Sequence, residues 1–99
     1  MTRSTSWFVV DQAVRVAVGE PDYPEFTGQM IQLSTTGIRL RADRPLRLGL
    51  AVELSWNGTI VSGKVRKCLV SEFDFLIECG LERVVKQGPR AQTATAPSV

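Results

Sequence analysis

Arginine is the residue type with the greatest capacity for chemistry in this chain. Nine of the twelve basic residues are arginines, and a guanidinium group can hold a phosphate or a carboxylate through two parallel hydrogen bonds. Arg39 and Arg41 are predicted to project from the same face of one strand, about 7 Å apart. Charges in such positions usually serve only solubility and protection of a sheet edge. The spacing also suits two phosphates or an acidic partner, so we consider both residues as partner or phosphate contacts.

The distribution of charge favours an anionic partner more than the total does. The net charge of +2 is too small to attract nucleic acid or a membrane surface in bulk. Residues 31–67, however, carry seven basic and two acidic residues, whereas the segments on either side are net acidic. We therefore expect a small anionic ligand or an acidic protein surface as the partner.

Several kinds of site are excluded by composition. The chain has no histidine, which rules out Ser-His-Asp and Cys-His relays and every histidine-containing metal site. Its two cysteines, Cys68 and Cys79, cannot complete a zinc tetrahedron alone. We therefore predict no catalytic residue, no metal site, no cofactor and no enzymatic activity. The apolar run near the start is too short for a signal peptide and no stretch is long enough to span a membrane, so we expect a cytoplasmic protein without membrane insertion.

Alternation of apolar and polar residues is the main structural signal. It predicts six short antiparallel strands, with an Asn57-Gly58 turn joining two of them. One alternating face on each strand implies a small closed all-β barrel, with at most a turn or two of helix near 82–87. We expect the barrel domain to cover residues 1–87 and a disordered tail to cover 88–99, which lacks periodicity. The predicted inward rows of the strands include Val14, Val16, Ile31, Leu33, Ile38, Leu40, Val52, Leu54, Val61, Val65, Leu69, Ile77 and Cys79.

The same parity argument applies to the cysteines. If the odd positions of both final strands face inward, Cys68 points outward and Cys79 points into the core. A disulfide between them is then not expected.

Three segments carry a resemblance to a known family. Residues 31–40 read I-Q-L-S-T-T-G-I-R-L, the following loop reads L-R-A-D-R-P-L-R-L-G-L-A-V-E-L, and the last strand pair contains V-S-G-K-V and I-E-C-G-L-E. Together they resemble the PilZ domain, a bacterial receptor module for cyclic di-GMP. That family has an Arg-x-x-x-Arg segment near the start and an Asp/Asn-x-Ser-x-x-Gly turn. The resemblance covers about residues 3–82 and implies a PilZ-like six-stranded β-barrel.

The resemblance implies a ligand site made of Arg3, Gln32, Ser34 and Gly37. Ser34 and Gly37 match the family's turn, while Gln32 stands where the family has Asp or Asn, and Trp7 stands where it has the second arginine. In the family these arginines clamp phosphates and stack on guanine. Ser34 and Gly37 also suit a purely structural turn. Trp7 could stack on a flat base, but with Phe8 beside it we favour a role in capping the barrel core.

The implied function is non-enzymatic signalling: binding of cyclic di-GMP and relay of that event to a protein effector. The alternative is a degenerate PilZ-like adaptor that binds a protein through its arginine-bearing face without nucleotide. A small nucleic-acid-binding barrel is disfavoured, because most of the seven aromatic residues fall at predicted core positions rather than among surface bases.

Overall fold

Six antiparallel strands make up the computed structural model, which describes residues 6–88. The sheet closes in the order β1-β2-β3-β6-β5-β4, with β4 pairing back onto β1. The predicted all-β, six-stranded barrel is therefore confirmed. Arg3 and positions 89–99 of the expected tail lie outside the described residues. The strands are β1 (Phe8–Val18), β2 (Phe26–Leu33), β3 (Gly37–Ala42), β4 (Ala51–Trp56), β5 (Thr59–Val70) and β6 (Phe75–Lys86).

The interior is filled by the apolar side chains of alternate residues. Val14 and Val16 on β1, like Ile38 and Leu40 on β3, are completely buried, as alternation along half-buried strands predicts. Closure removes most free sheet edges, which a small open sheet would expose. No helix that could cross a membrane occurs between residues 6 and 88. The full buried set is Val14, Val16, Phe26, Met30, Ile38, Leu40, Ala42, Leu46, Leu50, Val52, Leu54, Val61, Val65, Ile77 and Cys79.

The β4–β5 connection is the two-residue hairpin that the sequence predicts. Asn57 and Gly58 have φ values of 48° and 79°, and Trp56 pairs with Thr59 across the turn. Two consecutive residues with positive φ characterise a type I′ turn, whose twist matches that of the flanking strands.

A first β-bulge changes which residues of β2 face the core. The register between β2 and β3 shifts between Met30 and Gln32, so Ile31 is the extra residue. Phe26 and Met30 are buried, whereas Ile31 is half-buried and borders a groove on the outside. The expectation that Ile31 faces inward is wrong, because a bulge reverses parity. Leu33, beyond the bulge, packs against the core as predicted.

A second bulge has the same effect on β5. The register between β5 and β6 shifts between Val65 and Lys67. Beyond it, Cys68 packs against the core and Leu69 is exposed, so the predicted orientations of both are wrong. The two cysteines are nevertheless free thiols.

Alternation predicts the last strand at about 73–81, but β6 starts and ends later. The amide of Ser71 donates to the carbonyl of Asp74 at 2.8 Å. Residues 71–74 therefore form a turn, and the strand starts only at Phe75. At the other end, β6 continues to Lys86 because Ile60 and its neighbours on β5 supply partners. Residues 82–86 are strand and not helix, which agrees with the expectation of at most a turn or two of helix.

Candidate functional site

Strand register brings four polar residues into one line across the outside of the barrel. Gln32 on β2 lies beside Arg39 on β3, Arg39 beside Glu78 on β6, and Glu78 beside Lys67 on β5. We call these four residues the polar row. They are far apart in the sequence, and only the strand order β2-β3-β6-β5 makes them neighbours.

Arg39 is the central group of the polar row. Its Nε donates to Glu78 Oε1 at 2.9 Å and its Nη1 donates to Gln32 Oε1 at 3.1 Å. Its guanidinium carbon also lies 3.9 Å from the centre of the Trp7 ring, which is a cation–π contact. Trp7 therefore lies on the outside of the barrel over Arg39, so the expected role in capping the core is wrong.

The Arg66 guanidinium also contacts the Glu78 carboxylate, and its side chain crosses a part of the sheet that has glycines in place of side chains. Gly37 and Gly80 pair directly across β3 and β6, and the Arg66 side chain lies over both. Arg66 Nη2 is 3.1 Å from Glu78 Oε2. A Cβ on Gly37 would collide with this guanidinium group and approach the Trp7 ring to 3.2 Å. The two glycines thus leave the space that Arg66 and Trp7 occupy.

A groove of about 250 Å³ runs beside the polar row. Its walls are mostly apolar, and its cationic groups belong to Arg39 and Lys67. Flat or apolar groups can rest on such walls while charged groups meet the cations. The lining residues are Ile31, Gln32, Arg39, Lys67, Leu69, Leu76, Ile77 and Glu78.

The Ser34–Gly37 segment forms the turn that holds β2 and β3 together. The Ser34 hydroxyl accepts hydrogen bonds from the amides of Thr36 and Gly37 at 3.2 and 3.0 Å. The Ser34 amide donates to the Gly37 carbonyl at 2.9 Å. Ser34 is only 6% exposed, and these contacts occupy its hydroxyl. Its role here is to fix the turn beside Gln32 and Arg39.

Arg41 does not join Arg39. Its Nη1 lies 3.1 and 3.3 Å from the two carboxylate oxygens of Asp74, one row further along the sheet. Arg44 and Arg47, in the loop that follows β3, are also paired, with Asp43 and Glu20 respectively. The Arg44 guanidinium lowers the pKa of Asp43 through its hydrogen bond.

Arg66 and Glu78 are site residues that the sequence interpretation did not single out. The available signal was alternation, which places Glu78 on the outer face between Ile77 and Cys79. For Arg66 the signal was obscured, because the bulge at that position changes the direction of its neighbours.

The cysteine nearby offers no nucleophile, since burial raises the pKa of the Cys79 thiol to about 12.

Comparisons with known proteins bear on the fold. No protein-family model and no curated protein sequence matches the chain. Among solved structures, the Bacillus subtilis inhibitor of motility MotI/DgrA is similar, with a TM-score of 0.65 and 12% sequence identity over 95% of this chain. The chain spans 47% of that protein's length. At this identity the similarity concerns the fold, and it supports the PilZ-like barrel that the sequence resemblance implies.

Proposed function

We propose that this chain is a non-enzymatic signalling module of the PilZ type, which binds cyclic di-GMP on the outside of its barrel and relays binding to a protein effector. The observation that carries the proposal is the stacking of Arg39 on Trp7, 3.9 Å from the ring centre, directly beside the Ser34–Gly37 turn. This arrangement places a cation, a flat aromatic surface and polar side chains within one small area.

The chemistry of the area fits a ligand with two phosphates and two purine bases. Arg39, Arg66 and Lys67 supply three positive charges, and Glu78 supplies one negative charge. Guanidinium groups bind phosphate oxygens in pairs and also stack on flat rings. The Gln32 side chain offers both a donor and an acceptor to the edge of a guanine base.

The position of Trp7 supports relay. A ligand that takes the place of the Trp7 ring on Arg39 would displace that ring and so change how the start of β1 lies on the barrel. Arg3 is four residues before Trp7 and would supply a further phosphate contact. The bound state would therefore present a different surface to an effector.

Calorimetric titration with cyclic di-GMP tests the proposal. We expect saturable heat at ligand concentrations below about 100 μM. Removing one charge-assisted contact costs about 1.5–3 kcal/mol, so Arg39→Ala should weaken binding roughly ten- to a hundredfold. The control is Arg15→Ala, which removes an exposed arginine paired with Glu25 on β1 and should leave affinity unchanged. Absence of heat in the wild-type titration would refute nucleotide binding.

The second candidate function is a PilZ-like adaptor that binds a protein without nucleotide. Glu78 favours it, because this carboxylate, only 12% exposed, already holds both Arg39 and Arg66. A phosphate must compete with that carboxylate for the two guanidinium groups. A silent calorimetric titration in a folded protein would favour this adaptor.

A further inference from the structure

The far end of the β5–β6 hairpin carries large apolar side chains that the described barrel leaves uncovered. Val70 is 82% exposed and Phe73 is 92% exposed. Leu69 is also exposed and borders the groove. Large apolar side chains concentrated at one tip are unusual on a small soluble domain unless a partner covers them.

The same tip has a free strand edge. β4 pairs with β5 only from Thr59 to Lys64, and the preceding loop extends the cover only to Val65, through Gly49 and Leu50. No described residue pairs with this edge of β5 over residues 67–70. The edge is therefore open for a short stretch beside the exposed apolar residues.

The turn at the tip shows which main-chain groups face the open edge. Ser71 and Asp74 are hydrogen-bonded across the turn, so in the antiparallel ladder Leu69 and Lys67 direct their main-chain groups towards β6. Cys68 and Val70 then direct their N–H and C=O groups away from β6, towards the open edge. Unpaired groups of this kind are a template for another extended chain.

The charges beside the edge indicate which chain fits. Lys67 makes no ion pair with any residue from 6 to 88 and lies at the end of the polar row. Glu78 lies beside Lys67 in register, but Arg39 and Arg66 hold its carboxylate. The other carboxylates nearby are Glu72 in the turn and Asp74, which Arg41 holds. An added strand with a carboxylate opposite Lys67 and apolar side chains opposite Leu69 would match both features.

Two copies of this chain match the edge less well. Because only Cys68 and Val70 present groups to it, antiparallel pairing of two copies would place Lys67 opposite Leu69 or Ser71 of the other copy. Neither carries a carboxylate. A lysine left without a partner at an edge discourages self-pairing.

We propose that the β5 edge at Lys67–Val70 is a docking site for an extended, acidic and apolar segment of a partner protein, which adds as a strand to the sheet. This site adjoins the proposed nucleotide contacts and shares Lys67 with them, but it needs neither Arg39 nor Arg66, and partner binding does not require nucleotide.

The test uses short blocked peptides labelled with a fluorophore, and fluorescence anisotropy without nucleotide. One peptide repeats Glu-Thr-Val-Thr, so that glutamate and valine alternate along one face of the added strand. Its matched control has lysine in place of each glutamate. We expect the glutamate peptide to bind and the lysine peptide to bind at least roughly tenfold more weakly. Equal binding of the two peptides, or binding of neither, would overturn the proposal.

Two variants locate the bound peptide. Val70→Pro removes one edge N–H without removing a β5–β6 hydrogen bond, and should weaken the glutamate peptide roughly tenfold. Lys67→Glu should reverse the preference between the two peptides, while Lys86→Glu, on β6, should preserve it. Unchanged peptide affinity in Val70→Pro would contradict strand addition.

Two further measurements separate this proposal from its alternatives. If sedimentation shows a dimer that Val70→Pro dissociates, the occupant of the edge is a second copy and the proposal is wrong. Calorimetry of Val70→Pro with cyclic di-GMP should give the wild-type result, whichever result that is. If only peptide binding is absent, the docking proposal has failed. If only nucleotide binding is absent, the proposal of cyclic di-GMP binding has failed.

Discussion

The middle and the tip of the β5–β6 ribbon differ in how fully their outer surfaces are occupied. Near Gly80, the outer face is closely occupied: Arg66 lies over the glycine pair and shares Glu78 with Arg39. Near Phe73, exposed apolar side chains stand beside unpaired main-chain groups. A ligand in the middle must compete with contacts that already exist, whereas a ligand at the tip adds contacts where none exist. We therefore expect the surface around Glu78 to be selective for its ligand and the tip near Phe73 to adapt to different partner segments.

The largest expected effect concerns this difference in packing. A Cβ on Gly63 of β5 would collide with the Gly80 carbonyl oxygen and lie 3.0 Å from its carbon, and main chain cannot move aside as a side chain can. Gly63→Ala should lower the free energy of unfolding by about 3 kcal/mol or more. Phe73→Ser, at the tip, should change it by less than about 0.5 kcal/mol. Urea denaturation measures both, and similar values for the two would contradict the comparison.

The pH dependence of stability tests how tightly the interior is packed, and the two cysteines provide the variant and its control. Burial raises the pKa of Cys79 from 9.0 to about 12, so above pH 9 the thiol ionises more readily in the unfolded chain. Unfolding then releases a proton, and stability falls as pH rises between these values.

From pH 8 to pH 10 this effect should remove about 1.4 kcal/mol. Urea midpoints across that range should fall less steeply in Cys79→Ala than in wild type. The control, Cys68→Ala, should keep the wild-type slope because it retains Cys79. An unchanged slope in Cys79→Ala would show that the thiol is not buried as described.

The smallest expected effect shows whether Glu78, in the occupied middle of the ribbon, competes with the ligand or helps to bind it. Glu78→Gln keeps the shape but removes the charge shared by Arg39 and Arg66. Stability should fall by at most about 1 kcal/mol, since both arginines are partly exposed. Affinity for cyclic di-GMP should rise roughly fivefold, because a nearby negative charge is gone. Weaker binding, measured by calorimetry, would mean that Glu78 supports the ligand site and does not compete for it.

Much of the barrel could be predicted from alternation alone. Val14, Val16, Ile38 and Leu40 face the core as expected, and the Asn57-Gly58 turn has the expected conformation. These predictions depend only on local periodicity and on residues that tolerate positive φ. The orientations that failed all lie at bulges, where one extra residue reverses every side chain beyond it.

The site was harder to predict because its partners come from distant segments. The sequence concentrates positive charge in the middle of the chain, yet in the barrel those arginines meet carboxylates from the flanking segments, as Arg39 meets Glu78 and Arg47 meets Glu20. Strand order creates these pairs, and it cannot be calculated from composition. Trp7 was misplaced for a similar reason, since its neighbours Gly37 and Arg39 lie on β3.

The anchoring of Gly88 has a practical consequence for experiments on both surfaces. Its amide donates to Thr59 Oγ1 at 3.0 Å, so Gly88 lies beside the β4–β5 hairpin. β5 runs from that hairpin to the opposite tip, a distance of about 36 Å at the usual strand rise. A dye or surface tether joined to the chain at Gly88 would therefore sit at the end remote from the open edge. Such a tether would leave Val70 and Phe73 free to meet a partner.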